Sequence, residues 1–292
     1  MKSYQTYRGL PALAGVCSMQ EAMQPGLSVA ECVARLKRYH YAFKRLHQIF
    51  TARITAEPIY ELKMGFSLHA HYCADHTAAL RKRVSEMREP PLGLDAIPHP
   101  ALEIFFDEIL AAPSTEELVL GLYGKALPGL KSALERHLAD THQLVDHPSV
   151  RLCRFALLEL AEMLTYGANA IVSLVDEPCR QRATPWLTLL DDCLAAAGAL
   201  HGADIPVEKQ LARRFSAQPY EYDAVPKRDA RFPDPYNMGV NAEVFLYEPE
   251  YPPQPKTLMM FYKRLREIDV PEMMASIIAW RASSQSCRVM SR

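Results

Sequence analysis

Between Ser28 and Leu200 apolar residues recur at every third or fourth position, and the breaks between runs fall at residues that start or stop helices. Strand-like alternation is scarce, so this rhythm predicts an all-α protein. Ser28 reads as the N-cap of a helix to about Thr51, and Pro58 as the first-turn proline of a helix to about Glu89 that "EPPLG" stops. His99-Pro100 opens a short helix to about Ala112, Ser114 and Glu117 have the form of a capping box, and Pro128 should kink or restart the segment to about Leu144. Asp146 with Pro148 opens the most apolar helix, to about Val175, and Thr184-Pro185 opens another, to about Leu200. Helices of this length joined by short connections predict an up-and-down bundle over residues 28–200.

The next stretch, 201–256, holds nine of the 22 prolines. It cannot be continuous helix, but the Tyr, Phe and Leu among those prolines predict an ordered strap rather than a free linker. Residues 257–280 return to helix, with Pro271 breaking or capping it midway. The last twelve, "RASSQSCRVMSR" (281–292), are Ser/Arg-rich and patternless and read as a disordered tail.

Composition removes several function classes. Lys plus Arg (33) and Asp plus Glu (34) nearly cancel, so no overall field draws the chain to nucleic acid or an anionic membrane. The basic and aromatic residues interleaved in "LKRYHYAFKRLHQIF" (36–50) are the one stretch suited to RNA, and amphipathic helices commonly carry such faces without binding it. There are only 12 glycines and neither GxGxxG nor GxxxxGK[ST], which argues against phosphate-loop chemistry. Seven cysteines without a CxxC pair suit reduced thiols, most of them small core residues. The N-terminus lacks the sustained apolar run of a signal peptide, and "MLTYGANAIVSLV" (163–175) is too short to span a bilayer. These features predict a soluble cytoplasmic protein with no membrane partner.

The stretch most suggestive of chemistry is "HAHYCADHTAALRKR" (69–83). The apolar face of its helix reads Ile59, Leu62, Phe66, His69, Cys73, His76, Leu80, Val84 and Met87, so two histidines interrupt a core-facing stripe. His71 and Asp75 lie on another face. The helix from 147 carries an apolar band (Val150, Cys153, Leu157, Leu160, Leu164, Ile171) and a mixed one (Phe155, Glu159, Glu162, Tyr166, Asn169). Glu159 and Glu162 are its only charges from Phe155 to Val175, and a carboxylate in so apolar a helix should be paired, protonated or bound to metal. His69, His76, Glu159 and Glu162 are thus candidate ligands for iron, manganese or zinc, with Tyr72 and Tyr166 behind them. The same residues also fit a structural polar network, and no histidine has Glu three residues before it, the E-x-x-H spacing of bundle di-metal sites.

"LHAHYCADHTAALRKRVSEMREPPLGLD" (68–95) and "NAEVFLYEPEYPPQPKTLMMFYKRLREIDVPEMMASIIA" (241–279) resemble a bacterial family of ferritin-like helical proteins of unknown function, the likeness running from about residue 30 to 279. The resemblance implies a ferritin-like bundle with a carboxylate-bridged centre of two iron or manganese ions and oxidoreductase chemistry. In that family the segment like "DVPEMMASIIA" leads into a D-E-A-R-H phrase that supplies an E-x-x-H pair; here "RASSQSCRVMSR" follows instead. Glu272 matches the first glutamate of that bundle but is left without its ligand partners, which implies a C-terminally shortened member with an incomplete ligand set. The competing expectation is a non-catalytic interaction or scaffold protein that self-associates through residues 257–280.

Overall fold

The computed structural model describes residues 5–87, 93–231, 247–265, 267 and 269–289. Apart from short 3-10 turns before residue 24 and one π turn, their regular structure is nine α-helices, with no strand among them. These are α1 (Val29–Ala56), α2 (Tyr60–Glu86), α3 (Pro100–Leu110), α4 (Thr115–Gly121), α5 (Leu127–Asp140), α6 (His147–Leu174), α7 (Glu177–Ala196), α8 (Pro253–Leu265) and α9 (Asp269–Val289).

Local chemistry accounts for most helix ends. At α1, the Glu31 backbone N–H donates to the Ser28 hydroxyl (3.2 Å) while the Ser28 N–H donates to the Glu31 carboxylate (2.8 Å). Ser114 caps α4, accepting from the Glu117 N–H. Pro128 lacks the N–H an α-helix needs there, and the chain answers with a π turn at Leu122–Ala126 before α5 restarts. α7 ends in a Schellman turn: Gly198 takes φ +69, the Ala199 N–H reaches the Leu194 carbonyl (2.8 Å), and the Arg38 guanidinium donates to the Ala197, Ala199 and Leu200 carbonyls.

Two boundaries differ from the sequence reading. α7 starts at Glu177, seven residues ahead of Thr184, because the Asp176 carboxylate accepts the Cys179 N–H (2.8 Å) and Pro178 fills the first turn; Pro185 is carried inside the helix. At the C-terminal end, α9 runs on to Val289 through most of the segment expected to be disordered. Ala, Arg, Gln and Ser tolerate helix, and neither Pro nor Gly follows Pro271 to stop it. Residues 290–292, most of "EPPLG" and positions 232–246 of the expected strap lie outside the described residues.

The chain divides into two compact units, Met1–Leu46 with Tyr72–Tyr220, and His47–His71 with Glu221–Arg292. Both units are built from separate stretches of the chain. α1 and α2, each about 40 Å long at 1.5 Å per residue, contribute one part to each. In the first unit α5 lies along α6 and α3 along α7, around Leu102, Phe105, Leu134, Leu160 and Trp186. Gly167 lets α6 sit on the Tyr123 ring, where a Cβ would lie 2.2 Å from Cδ1. The opening of the strap is fastened here: the fully buried Glu108 carboxylate accepts from the Arg214, Phe215 and Ser216 N–H groups, the Ser216 hydroxyl and Trp186 Nε1.

In the second unit the strap continues along the α1–α2 turn, with the Lys227 N–H on the Thr55 carbonyl (2.8 Å) and the Asp229 N–H on the Pro58 carbonyl (3.0 Å). Lys63, Glu272 and Arg228 form its buried ion cluster. Glu272, expected from the resemblance to lack partners, has cationic ones: Lys63 Nζ lies 2.6 Å from one carboxylate oxygen and Arg228 2.5 Å from the other, and Arg228 also holds Asp269. Lys63 donates further to the Ile54 carbonyl (3.0 Å).

Candidate metal centre

The start of α1 meets the α5–α6 turn at one buried point of the first unit. Cys32 stands one turn into α1, His137 in the last turn of α5, and Asp146 at the start of α6. All three are buried, Cys32 at 2%, His137 at 0% and Asp146 at 6% exposure. Among the described residues this is the one group of three or more His, Cys, Asp or Glu side chains whose ligand atoms converge, lying within 4.8 Å of one another. It could hold a metal ion.

Asp146 sits where a helix N-cap belongs, yet its side chain makes no capping bond to α6. The carboxylate turns inward instead. Oδ2 accepts the Thr141 hydroxyl (2.8 Å), Oδ1 accepts Arg83 (2.9 Å), and the same arginine reaches Ser149 Oγ (2.8 Å). Burial alone would raise the Asp146 pKa, but bonds from His137, Ser149, Arg83 and Thr141 outweigh it and hold the carboxyl well below its usual range. The group is therefore a fixed anion. Burial, reinforced by this anion, pushes the Cys32 thiol up against the opposing bond from Thr141, so without an ion the sulfur keeps its proton.

Two of the spacings also lie near coordination edges. Cys32 Sγ lies 3.7 Å from Asp146 Oδ2, and His137 Nε2 lies 3.4 Å from the same oxygen. The nitrogen contact is long for a hydrogen bond, whereas 3.7 Å is an ordinary reach for a thiol, which also meets Thr141 Oγ1 at 3.7 Å. Tetrahedral zinc, with Zn–S near 2.3 Å and Zn–N and Zn–O near 2.0 Å, sets S···O and N···O edges of about 3.5 and 3.3 Å. The observed separations match those edges to within a few tenths of an ångström. His137 Nδ1 is buried with no hydrogen-bond partner among the described residues, so the cluster is not a closed polar network. The Tyr39 ring packs edge-on against this imidazole at 5.7 Å. Thr141 also lines a neighbouring cavity of about 470 Å³, shared with Cys17, Glu21, Asp140 and His142.

The residues singled out from the sequence are placed otherwise. His76 Nε2 and Glu159 Oε2 are brought together at 2.6 Å, with Phe43 packed at 4.9 Å from the imidazole. Glu162 is exposed. Tyr166 is half-buried, tilted against Tyr123 at 6.0 Å, and Tyr72 is half-buried. His69 belongs to the second unit, buried edge-on to Phe50 at 5.4 Å, and burial lowers its pKa to about 4. His71 and Asp75 are exposed. In the basic-aromatic stretch, Tyr39, Tyr41, Phe43 and Phe50 are core residues, while Arg38 and Arg45 are engaged with carbonyls and with Asp107, which leaves those rings no face for a base.

Sequence reasoning took Cys32 for a small core residue and Asp146 for a cap, and passed over His137. The retrievable signal was slight: an aspartate just ahead of a helix-opening proline, nine residues after a histidine on an apolar helix face. Set against known proteins, the chain matches no family model, no curated protein and no solved structure.

Proposed function

We propose that this chain is a metal-binding helical protein whose single ion is held by the Cys32 thiolate, a His137 ring nitrogen and the Asp146 carboxylate. The observation that carries the reading is the convergence of three buried ligand groups, Cys32, His137 and Asp146, whose ligand atoms lie within 4.8 Å of one another, with sulfur and nitrogen 3.7 and 3.4 Å from Asp146 Oδ2, close to tetrahedral edges. A mixed sulfur, nitrogen and oxygen set suits zinc or a similar borderline ion more than manganese, which favours oxygen ligands. Arg83 and Thr141 hold the carboxylate in place, and three protein ligands leave a fourth position for water or a small anion.

The ferritin-like oxidoreductase reading has the His76–Glu159 pair in its support. That pair offers one imidazole and one carboxylate, fewer groups than a carboxylate-bridged di-metal centre takes, and Glu162 faces solvent. A mononuclear centre is the better supported of the two.

The test is a cobalt(II) titration of chelator-washed protein, followed by zinc displacement. One equivalent should bring up a sulfur-to-cobalt charge-transfer band that zinc removes and Cys32→Ser lacks. Absence of the band in the wild type, or its survival in Cys32→Ser, would contradict the proposal.

A further inference from the structure

Among the described residues α6 is the one helix long and apolar enough to cross a membrane by length and composition, yet only 28% of that apolar window is buried. The 13-residue stretch considered in the sequence understates it, because only two acidic residues interrupt the run from Phe155 to Val175. Its outer face carries hydrophobic surface that the described chain does not cover: Phe155 is 51% exposed, Leu158 64% and Val172 82%. Val145, in the turn leading into α6, is 77% exposed. Small residues, Ala161, Thr165 and Ala168, are exposed on the same face and let another helix approach closely.

Three charges share this face, and one of them, Arg151, lies over the Phe155 ring at 4.8 Å. Arg154 and Glu162 are both exposed and eight residues apart, beyond the three- or four-residue spacing at which they could pair along their own helix. Arg154 reaches the Gln143 side-chain oxygen at 3.3 Å, and Glu162 has no partner among the described residues.

We propose that α6 docks against α6 of a second copy of this chain, antiparallel, about a twofold axis at Leu158. Such an axis sets each residue opposite the one equally far on the other side of 158. Arg154 then faces the partner's Glu162, and Glu162 the partner's Arg154. Phe155 meets the partner's Ala161, the two Leu158 side chains meet each other, and Val172 comes over the partner's turn at Leu144 and Val145. One register thus pairs Arg154 with Glu162 and brings the apolar residues together, while Arg151 keeps its place over its own Phe155 ring. A lipid surface would match the apolar residues and leave Glu162 unpaired in a desolvated place.

The experiment is sedimentation velocity on the full chain across a concentration series, with circular dichroism to confirm that each surface variant stays helical. The wild type should be a dimer. Leu158→Glu should weaken it by about 100-fold or more, since it sets two carboxylates face to face at the centre. Arg154→Glu and Glu162→Arg should each weaken it by roughly 10-fold, and the double charge swap should bring it back to within about 3-fold of wild type. A wild type monomeric at every concentration would overturn the proposal, as would a dimer indifferent to Leu158→Glu and the charge swaps. A monomer that sediments with lipid vesicles would overturn it in favour of a membrane surface.

Discussion

Two buried charged clusters, one in each unit, are built on different terms. In the second unit both oxygens of Glu272 are met by cations, Lys63 and Arg228, at 2.6 and 2.5 Å. In the first unit the Asp146 anion is met by one arginine, the Thr141 hydroxyl, a thiol at 3.7 Å and an imidazole whose 3.4 Å approach is long for a hydrogen bond. A cluster of permanent charges at close range is complete as it stands, which is the mark of a structural device. A cluster of ionisable ligand groups whose ligand atoms converge within 4.8 Å is one that could hold an ion.

Taking away one partner from each cluster should expose this difference. Lys63→Met removes one of the two cations on the buried Glu272 carboxylate and leaves Arg228 on the other oxygen, which should cost about 3 kcal/mol. Urea unfolding followed with a probe in the second unit should show that loss whether or not metal is present. If chelator-treated and zinc-saturated Lys63→Met differ from their wild-type counterparts by unequal amounts, the two clusters are not the independent devices described.

A smaller effect is expected on acidification. His69 is buried neutral, with a pKa of about 4 against about 6.5 unfolded, and His40 is depressed to about 4 chiefly by burial. As pH falls below 6.5 the unfolded chain takes up these protons first. The stability they contribute is therefore full above about pH 6.5 and is lost towards pH 4, on the order of 1–3 kcal/mol for each. Asp146 acts lower: its contribution is intact above the ordinary carboxylate range and drains away only beneath it. His69→Gln should flatten the fall between pH 6.5 and 4 in urea midpoints measured without metal. An unchanged slope would remove His69 from the account.

The smallest change belongs to the first cluster without an ion. Cys32→Ser trades a protonated thiol for a hydroxyl of similar size, and should cost about 1 kcal/mol or less in chelator-treated protein. With zinc at about 100 times its dissociation constant, the wild type gains about 2.7 kcal/mol that the variant lacks. Thermal melts with and without zinc would read both numbers, and equal zinc shifts in the two proteins would count against the cluster.

What the sequence disclosed follows from the range of the interactions involved. The core stripe of α2 was readable because its register is local: Leu62, Phe66, His69, Cys73, His76, Leu80 and Val84 are all buried. On α6 periodicity was read one face too far. Glu159 and Glu162 stand about 60° apart around the helix, so one reaches His76 while the other meets solvent, and the buried stripe runs through Cys153, Ala156, Leu160, Met163 and Gly167. The metal cluster was illegible for a different reason. Cys32 and Asp146 are 114 residues apart, and only tertiary packing brings α1 against the α5–α6 turn.

The most direct measurement is X-ray absorption at the zinc edge on protein loaded with one equivalent of zinc. The account predicts one sulfur near 2.3 Å and nitrogen or oxygen neighbours near 2.0 Å, with the sulfur shell missing in Cys32→Ser. A shell of nitrogen and oxygen alone in the wild type would place the ion elsewhere and leave Cys32, His137 and Asp146 as an incompletely paired piece of the core.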